Sequence, residues 1–390
     1  MATKPATLSP DSAKLSSQTI DRRDRPGGLS PQPGRLPRPK GSRRSSGIID
    51  RYVHYSKQNT WLNPLIIIVL VLGLYLIDPT PSNPVSHAIF VSYPIKGTNP
   101  TYYAKGRLDG LFMAFYVVVF TFTREFCMQW ILAPIARKFG LASGKAQRFM
   151  EQGYTIMYFT CSASYGIWVM SHTNMWYFNT TEFYADYPHK YHLANFKMYY
   201  LCQFAYWLQQ FIVLALQLEK PRKDYHELVA HHIVTLLLIG LSYRFHFTYI
   251  GLCVFITMDS SDIWLALSKN LNYVDSSLTG PVFAAFIVIW FYTRHYLSLI
   301  ILWSVATEFR TVGPWYLDWD TEHYKCWISQ YVCFALLAAI QLLNAYWSFL
   351  ILRIAYRFVV EDVAKDDRSD DEEEDDSSNE KKVLSGKKKQ

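Results

Sequence analysis

Charge is scarce through most of this 390-residue chain. Residues 58–360 hold only 20 basic and 16 acidic side chains in 303 positions, far below the quarter charged that is usual for soluble domains. An ordinary soluble domain is thereby excluded. Cysteine is sparse as well. Five of the six, Cys127, Cys161, Cys202, Cys253 and Cys333, sit inside apolar runs, where a free thiol behaves as a small hydrophobe. No CxxC spacing occurs, so neither a zinc ribbon nor a redox dithiol is expected. No apolar run precedes Trp61, so the N-terminus does not look like a secretory leader.

Aromatic residues are abundant instead, with 24 Phe, 28 Tyr and 12 Trp, and half the chain is apolar. The charge collects at the two ends. Residues 1–57 carry 12 basic and 4 acidic groups and 7 of the 18 prolines, a composition that buries too little apolar surface to offset chain entropy. This segment is expected to be a disordered basic tail. Residues 361–390 run from an acid block, Asp370 to Asp376, to Lys387-Lys388-Lys389-Gln390, and are expected to be a second disordered tail. Lysines third and fourth from the end resemble a dilysine signal for the endoplasmic reticulum. The fold class is therefore an all-α polytopic membrane protein between solvated tails.

About 20 apolar residues cross a bilayer, and eight spans fit. They run from Trp61 to Ile77, Gly110 to Pro134, Gly153 to Ser171, Met198 to Leu218, Leu228 to Tyr243, Phe245 to Ser268, Ser276 to Thr307 and Cys326 to Leu352. The seventh is too long to cross straight and is expected to be tilted, bent or partly outside. Loop cations divide eight to eight between the two sides. The basic N-terminal tail and Arg353 and Arg357 break the tie and put both termini in the cytosol. Asn179-Thr180-Thr181, the one N-glycosylation pattern, then falls in a lumenal loop.

Ionisable groups inside spans are costly and point to function. The densest set is His231-His232 in span five with Asp259 and Asp262 in span six. The two aspartates are three apart and share a helix face, whereas adjacent histidines diverge by about 100°. His231 and Asp259 each lie 14 residues from Phe245 at the turn, or about 21 Å along a helix. In an antiparallel hairpin they are level, in the cytosolic part of the membrane. A carboxylate at that depth could orient an imidazole, although buried His and Asp can also merely tie helices together. The loop Glu219-Lys220-Pro221-Arg222-Lys223-Asp224 supplies cations at the membrane surface. Arg294-His295 and Arg124-Glu125 are further intramembrane charges; neighbours in sequence do not face each other on a helix, so each needs partners elsewhere.

The stretch Arg222-Lys223-Asp224-Tyr225-His226-Glu227-Leu228-Val229-Ala230-His231-His232, continuing to Thr248, with Asp259-Ser260-Ser261-Asp262 and Lys269-Asn270-Leu271-Asn272-Tyr273, resembles the longevity-assurance (Lag) motif of ceramide synthases in the TLC-domain family. Many members have His-Asp where this chain has Met258-Asp259, so a third histidine is missing here. Met258-Asp259 with the flank Tyr243 to Phe247 is similar to fungal ceramide synthases, particularly those using very-long-chain acyl-CoA.

The resemblance implies two leading helices over 58–142, then a TLC domain over 143–360 whose six helices form a barrel. It implies N-acylation of a sphingoid base by acyl-CoA. His231, His232, Asp259 and Asp262 would be catalytic, and Arg222, Lys223, Lys269, Arg294 and His295 would hold substrate. An imidazole could deprotonate the amine, or attack the thioester and carry the acyl group; the residues leave both routes open. Arg294, His295 and Tyr243 are candidate oxyanion donors. Acyl-CoA is the co-substrate, with no metal or other cofactor expected. Expected partners are a small single-span accessory subunit and a second copy or paralogue, and no nucleic acid. Two alternatives are a di-iron hydroxylase, for which HxxxxHH from His226 lacks a second box, and a non-catalytic lipid-sensing or translocation-associated TLC protein.

Overall fold

The computed structural model describes residues 47–219 and 223–361. The acid block, the terminal lysines and Arg222 lie outside the described residues. The compact helical body begins at Ile49.

Helix α1 (Ile48–Gln58) and helix α2 (Leu62–Ile77) meet at a sharp corner, bent by 105°. The expected tail boundary at residue 57 is thus too late, because Ile48–Gln58 is helical. The seven prolines that argued for disorder all precede residue 40, and Ile48, Ile49, Tyr52 and Val53 follow helical spacing. A short helix α3 (Ser86–Ile89) and strand β1 (Tyr102–Tyr103) lead into α4 (Asp109–Phe126). A π turn (Cys127–Leu132) carries α4 into α5 (Ala133–Lys138).

Helices α6 (Ser143–Ser171) and α7 (Ala194–Ala215) follow, separated by a loop ending in β2 (His192–Leu193), which pairs antiparallel with β1. Then come α8 (Tyr225–Arg244), α9 (Thr248–Tyr273) and α10 (Thr279–Trp290). A second π turn (Phe291–Leu297) joins α10 to α11 (Ser298–Thr311), and α12 (Trp327–Glu361) closes the described chain.

Helices stand at all eight expected positions. Asp109–Lys138, α8, α9, Thr279–Thr311 and α12 are each long and apolar enough to cross a membrane, and the bent α1–α2 pair makes a sixth if counted as one. Helices α6 and α7 are long enough, at 29 and 22 residues, but less apolar. They bury Arg148, Glu151, Lys197, Gln203 and Gln209. The 33-residue seventh stretch would measure about 50 Å as straight helix, well beyond a core of about 30 Å. It stays one continuous helix, with a π turn (Phe291–Leu297) inside it that carries Arg294 and His295.

Helix α6 packs on α7, α7 on α8, α8 on α12, α12 on α11, and α9 on α10, α11 and α6. The six helices therefore close into a ring, as expected of the TLC domain. Helix α4 braces α7 from outside. Aromatic rings fill the interior, with Tyr158 stacked on Tyr206 at 3.4 Å and Tyr200 against Phe255 at 5.2 Å. Gly251 makes room for this packing: a Cβ there would overlap the Tyr200 hydroxyl.

Candidate active site

Two cavities meet inside the ring. An apolar chamber is bounded by Tyr200, Trp207, His231, Ile250, Asp259 and Leu337, among others. A more polar vestibule is bounded by Gln210, Asp224, His232, Asp262, Lys269 and Arg294. His231 and Trp207 line both. The histidine pair thus stands at the junction, and His231 and Asp259 line the same chamber.

Trp207 and Trp347 fix the first imidazole. The His231 ring is 5.6 Å from Trp207 and 5.3 Å from Trp347, both edge-on. Its Nδ1 is buried with no hydrogen-bond partner. His232 is set differently: its Nδ1 lies 2.8 Å from the Leu228 carbonyl oxygen, one turn back on the same helix. A carbonyl can only accept, so Nδ1 carries the proton and donates it. Nε2 is left as the basic nitrogen of His232.

The expected carboxylate orienter is not found. Asp259 Oδ2 accepts from Ser162 Oγ at 2.7 Å and from Gln203 Nε2 at 2.5 Å, while Asp259 Oδ1 is buried without a partner. Asp262 pairs with Arg294 Nη2 at 2.6 Å. A backbone carbonyl, not an aspartate, fixes the His232 tautomer. The two aspartates share a helix face, yet turn to different neighbours because α9 packs against α6 and α7 on one side and the second π turn on the other.

Arg294 is heavily committed. Its Nε donates to Ser261 Oγ at 2.6 Å, Nη1 to Asn344 Oδ1 at 3.1 Å, and Nη2 to the Met258 carbonyl at 3.2 Å as well as to Asp262. Its guanidinium also lies 4.4 Å from the Trp290 ring centre. The neighbouring His295 is carried away from the vestibule: Ser348 and Gln341 of α12 take its two nitrogens, at 2.6 and 2.9 Å. Adjacent residues on a helix diverge, and only one of this pair reaches the site. Lys269 lines the vestibule, and Lys223 is exposed just before α8. Tyr243 is far from the histidines, its hydroxyl donating to Asp109 Oδ2 at 2.8 Å, so it supplies no oxyanion donor.

Arg124 and Glu125, although adjacent, are ion-paired to each other, and Arg124 also pairs with Glu219 at the start of the loop between α7 and α8. Long side chains reach where helical geometry alone would separate them. Ser162, Gln203, Trp207, Asn344 and Trp347 were not foreseen as site residues. No local motif marks them; only the polarity of Gln203 inside an aromatic span hinted at a buried partner. Among the described residues no three His, Cys, Asp or Glu side chains converge as metal ligands.

A ring of membrane helices with a histidine pair between an apolar chamber and a polar vestibule defines a lipid-handling membrane protein. The family model described as TLC domain matches residues 148–353. Sphingosine N-acyltransferase lac1 of Schizosaccharomyces pombe is 54% identical over 332 residues, 84% of this chain and 86% of its own length. Ceramide synthase LAG1 of Saccharomyces cerevisiae is 47% identical over 321 residues, 82% of this chain and 78% of its own. Sphingosine N-acyltransferase-like protein FUM17 of Gibberella moniliformis is 46% identical over 320 residues, 80% and 82% of the two chains. The chain belongs to the TLC-domain family, among the fungal ceramide synthases.

Proposed function

We propose that the chain joins a sphingoid base to a long-chain acyl-CoA, giving ceramide and free CoA, at the junction where His231 and His232 stand. The observation that carries this reading is the commitment of His232 Nδ1 to the Leu228 carbonyl, which leaves Nε2 as a basic nitrogen on the vestibule wall. The acyl chain lies in the apolar chamber, and the CoA head, too polar for it, stays in the vestibule near Lys269.

An alkyl ammonium with a pKa near 10 must lose a proton before it can attack. On one route His232 Nε2 takes that proton, the amine nitrogen bonds to the thioester carbon, and the C–S bond breaks to release CoA thiolate, which is then protonated. On the other, Nε2 attacks the thioester first and the amine displaces the acyl group from the imidazole. Asp259 Oδ1, buried and open, is the acceptor the incoming ammonium meets. Asp262 and Arg294 hold each other and shape the wall.

The finer reading has four parts. The acyl donor is of the very-long-chain type, the protein resides in the endoplasmic reticulum membrane with both termini cytosolic, and Asn179 is glycosylated. It works with a small single-span subunit and a second copy or paralogue. Asn179 is exposed in the loop between α6 and α7, where an attached glycan meets no steric bar. The deciding experiment incubates purified protein with sphinganine and acyl-CoAs of varied length and weighs the products. Ceramide lost in His232→Ala is expected; equal yields from the two proteins would overturn the assignment.

A further inference from the structure

No side chain of α1 is buried, and Ile48, Ile49, Tyr52, Val53 and Tyr55 are between 42% and 87% exposed. At 100° per residue these five fall in one arc of about 160°, interrupted only by Ser56, while Lys57, Asp50, His54, Gln58 and Arg51 occupy the rest. Such a stripe needs cover. The corner with α2 indicates what the cover is. Helix α2 is apolar beyond Asn63 in its first turn and has no buried residue, as a lipid-facing span has, and α1 leaves its axis at 105°. A helix nearly perpendicular to a span runs along the membrane surface.

The angle is held by specific contacts. Tyr52 Oη donates to Asn63 Oδ1 at 2.6 Å across the corner, and Asn59 caps α1 by donating N and Nδ2 to the Tyr55 carbonyl at 2.9 and 3.0 Å. At the corner Trp61 packs edge-on against Phe126 at 6.1 Å and Trp130 at 6.2 Å. Indoles gather at membrane–water interfaces. A polar chain ties the corner to the loop between α7 and α8, whose Asp224 lines the vestibule: Thr60 donates to Glu125, Gln129 Nε2 donates to Thr60 Oγ1 at 2.7 Å, and Arg124 links Glu125 to Glu219 just beyond α7.

We propose that α1 is an interfacial helix whose occupant is the bilayer itself, lying flat on the leaflet at the vestibule face with Ile48, Ile49, Tyr52, Val53 and Tyr55 among the acyl chains. Helices of this kind bury their apolar face about 5–10 Å below the headgroups. Through Thr60, Glu125, Arg124 and Glu219 the helix sets the height of the vestibule mouth against the membrane surface. The inference does not depend on the reaction assigned above.

The test uses the full chain in phosphatidylcholine nanodiscs, with an environment-sensitive fluorescent amino acid placed singly at Ile49, Tyr52, Val53, Asp50, His54 or Lys57. Probes at the first three positions should emit to the blue, be quenched by a lipid-borne nitroxide, and be quenched several-fold less by aqueous iodide than probes at the last three. Equal iodide quenching at all six overturns the proposal, since α1 would then lie in water. Shielding of the apolar positions from both quenchers also overturns it, because protein and not lipid would be the cover. As a control on folding, Ile49→Glu with Val53→Glu should move a probe at Tyr52 into iodide reach without lowering the thermal midpoint of the detergent-solubilised protein.

Discussion

Trp207 stands edge-on to both histidines at once, its ring centre 5.6 Å from that of His231 and 5.6 Å from that of His232. One indole therefore positions two imidazoles that helical geometry turns apart, and it does so where chamber and vestibule meet. The two histidines nevertheless differ. His232 has its tautomer fixed by a carbonyl, and His231 has an open, buried Nδ1.

Replacing His232 by Ala is expected to lower ceramide formation by about 10²–10⁴-fold, the usual contribution of a positioned acid–base group. His231→Ala should also reduce it, since that ring lines both cavities. Initial rates with purified variants of confirmed helix content check this; near-normal turnover in both sinks the catalytic assignment.

Arg294→Ala leaves Asp262 without its cation and Ser261 and Asn344 without a donor. Removing one partner of a buried ion pair costs about 3–5 kcal/mol. A large fall in the thermal midpoint is expected, with Arg294→Lys a poor rescue because ammonium lacks the planar fork. A midpoint within a degree of wild type would show that the pair contributes nothing.

Chamber length should govern the acyl group. Ile340→Trp and Gly251→Ala both fill space beside Leu337 and Tyr200. The product profile is expected to move towards shorter acyl chains in Ile340→Trp, and Gly251→Ala should destabilise the packing. Mass analysis of ceramides from mixed acyl-CoAs reads this; an unchanged profile places the chain elsewhere.

The end of the ring opposite the vestibule should be acid-sensitive. Burial pushes the His189 imidazole from 6.5 down to about 4, against the opposing pull of the Phe183 carbonyl. Burial, followed by the nearby cations Lys105, Lys190 and Arg244, pushes His246 down to about 3. Both are neutral in the fold, so between these values and 6.5 the unfolded chain binds more protons. Their contribution to stability is full above 6.5 and lost as pH falls through 4 towards 3. Midpoints measured across that window should drop less steeply in His246→Asn, a residue that tolerates the φ of 64° found there. Identical slopes would remove His246 from the account.

Topology has its own test. In sealed microsomes Asn179 should carry a glycan and tags on both termini should be open to protease. A protected C-terminal tag would overturn the arrangement of eight spans.

Much of this protein is local, and the local part was legible in the sequence. An apolar run long enough to cross a bilayer is written in consecutive residues. So are the Lag motif, the paired histidines and the excess length of the stretch that holds the second π turn. That His231 and Asp259 would face one cavity followed from a count back and forward from the turn at Phe245. The boundary of the N-terminal tail was missed because composition averaged over 57 residues hid a proline-free amphipathic turn at its end.

Partner choice was not legible, and tertiary structure alone decided it. Counting charges by loop treats Lys197 as a solvated cation, whereas it is buried 2.7 Å from Asp109 and donates to two carbonyls. Tyr243 belongs with that far cluster, His295 with α12, and Asp259 with Ser162 and Gln203 rather than with an imidazole. The physical reason is common to all four. In a membrane helix the lipid-facing and inward-facing sides are both apolar, so periodicity does not reveal rotation about the axis. Which buried polar group meets which is then fixed only when six such helices close into a ring and each donor takes the acceptor that packing brings within 3 Å.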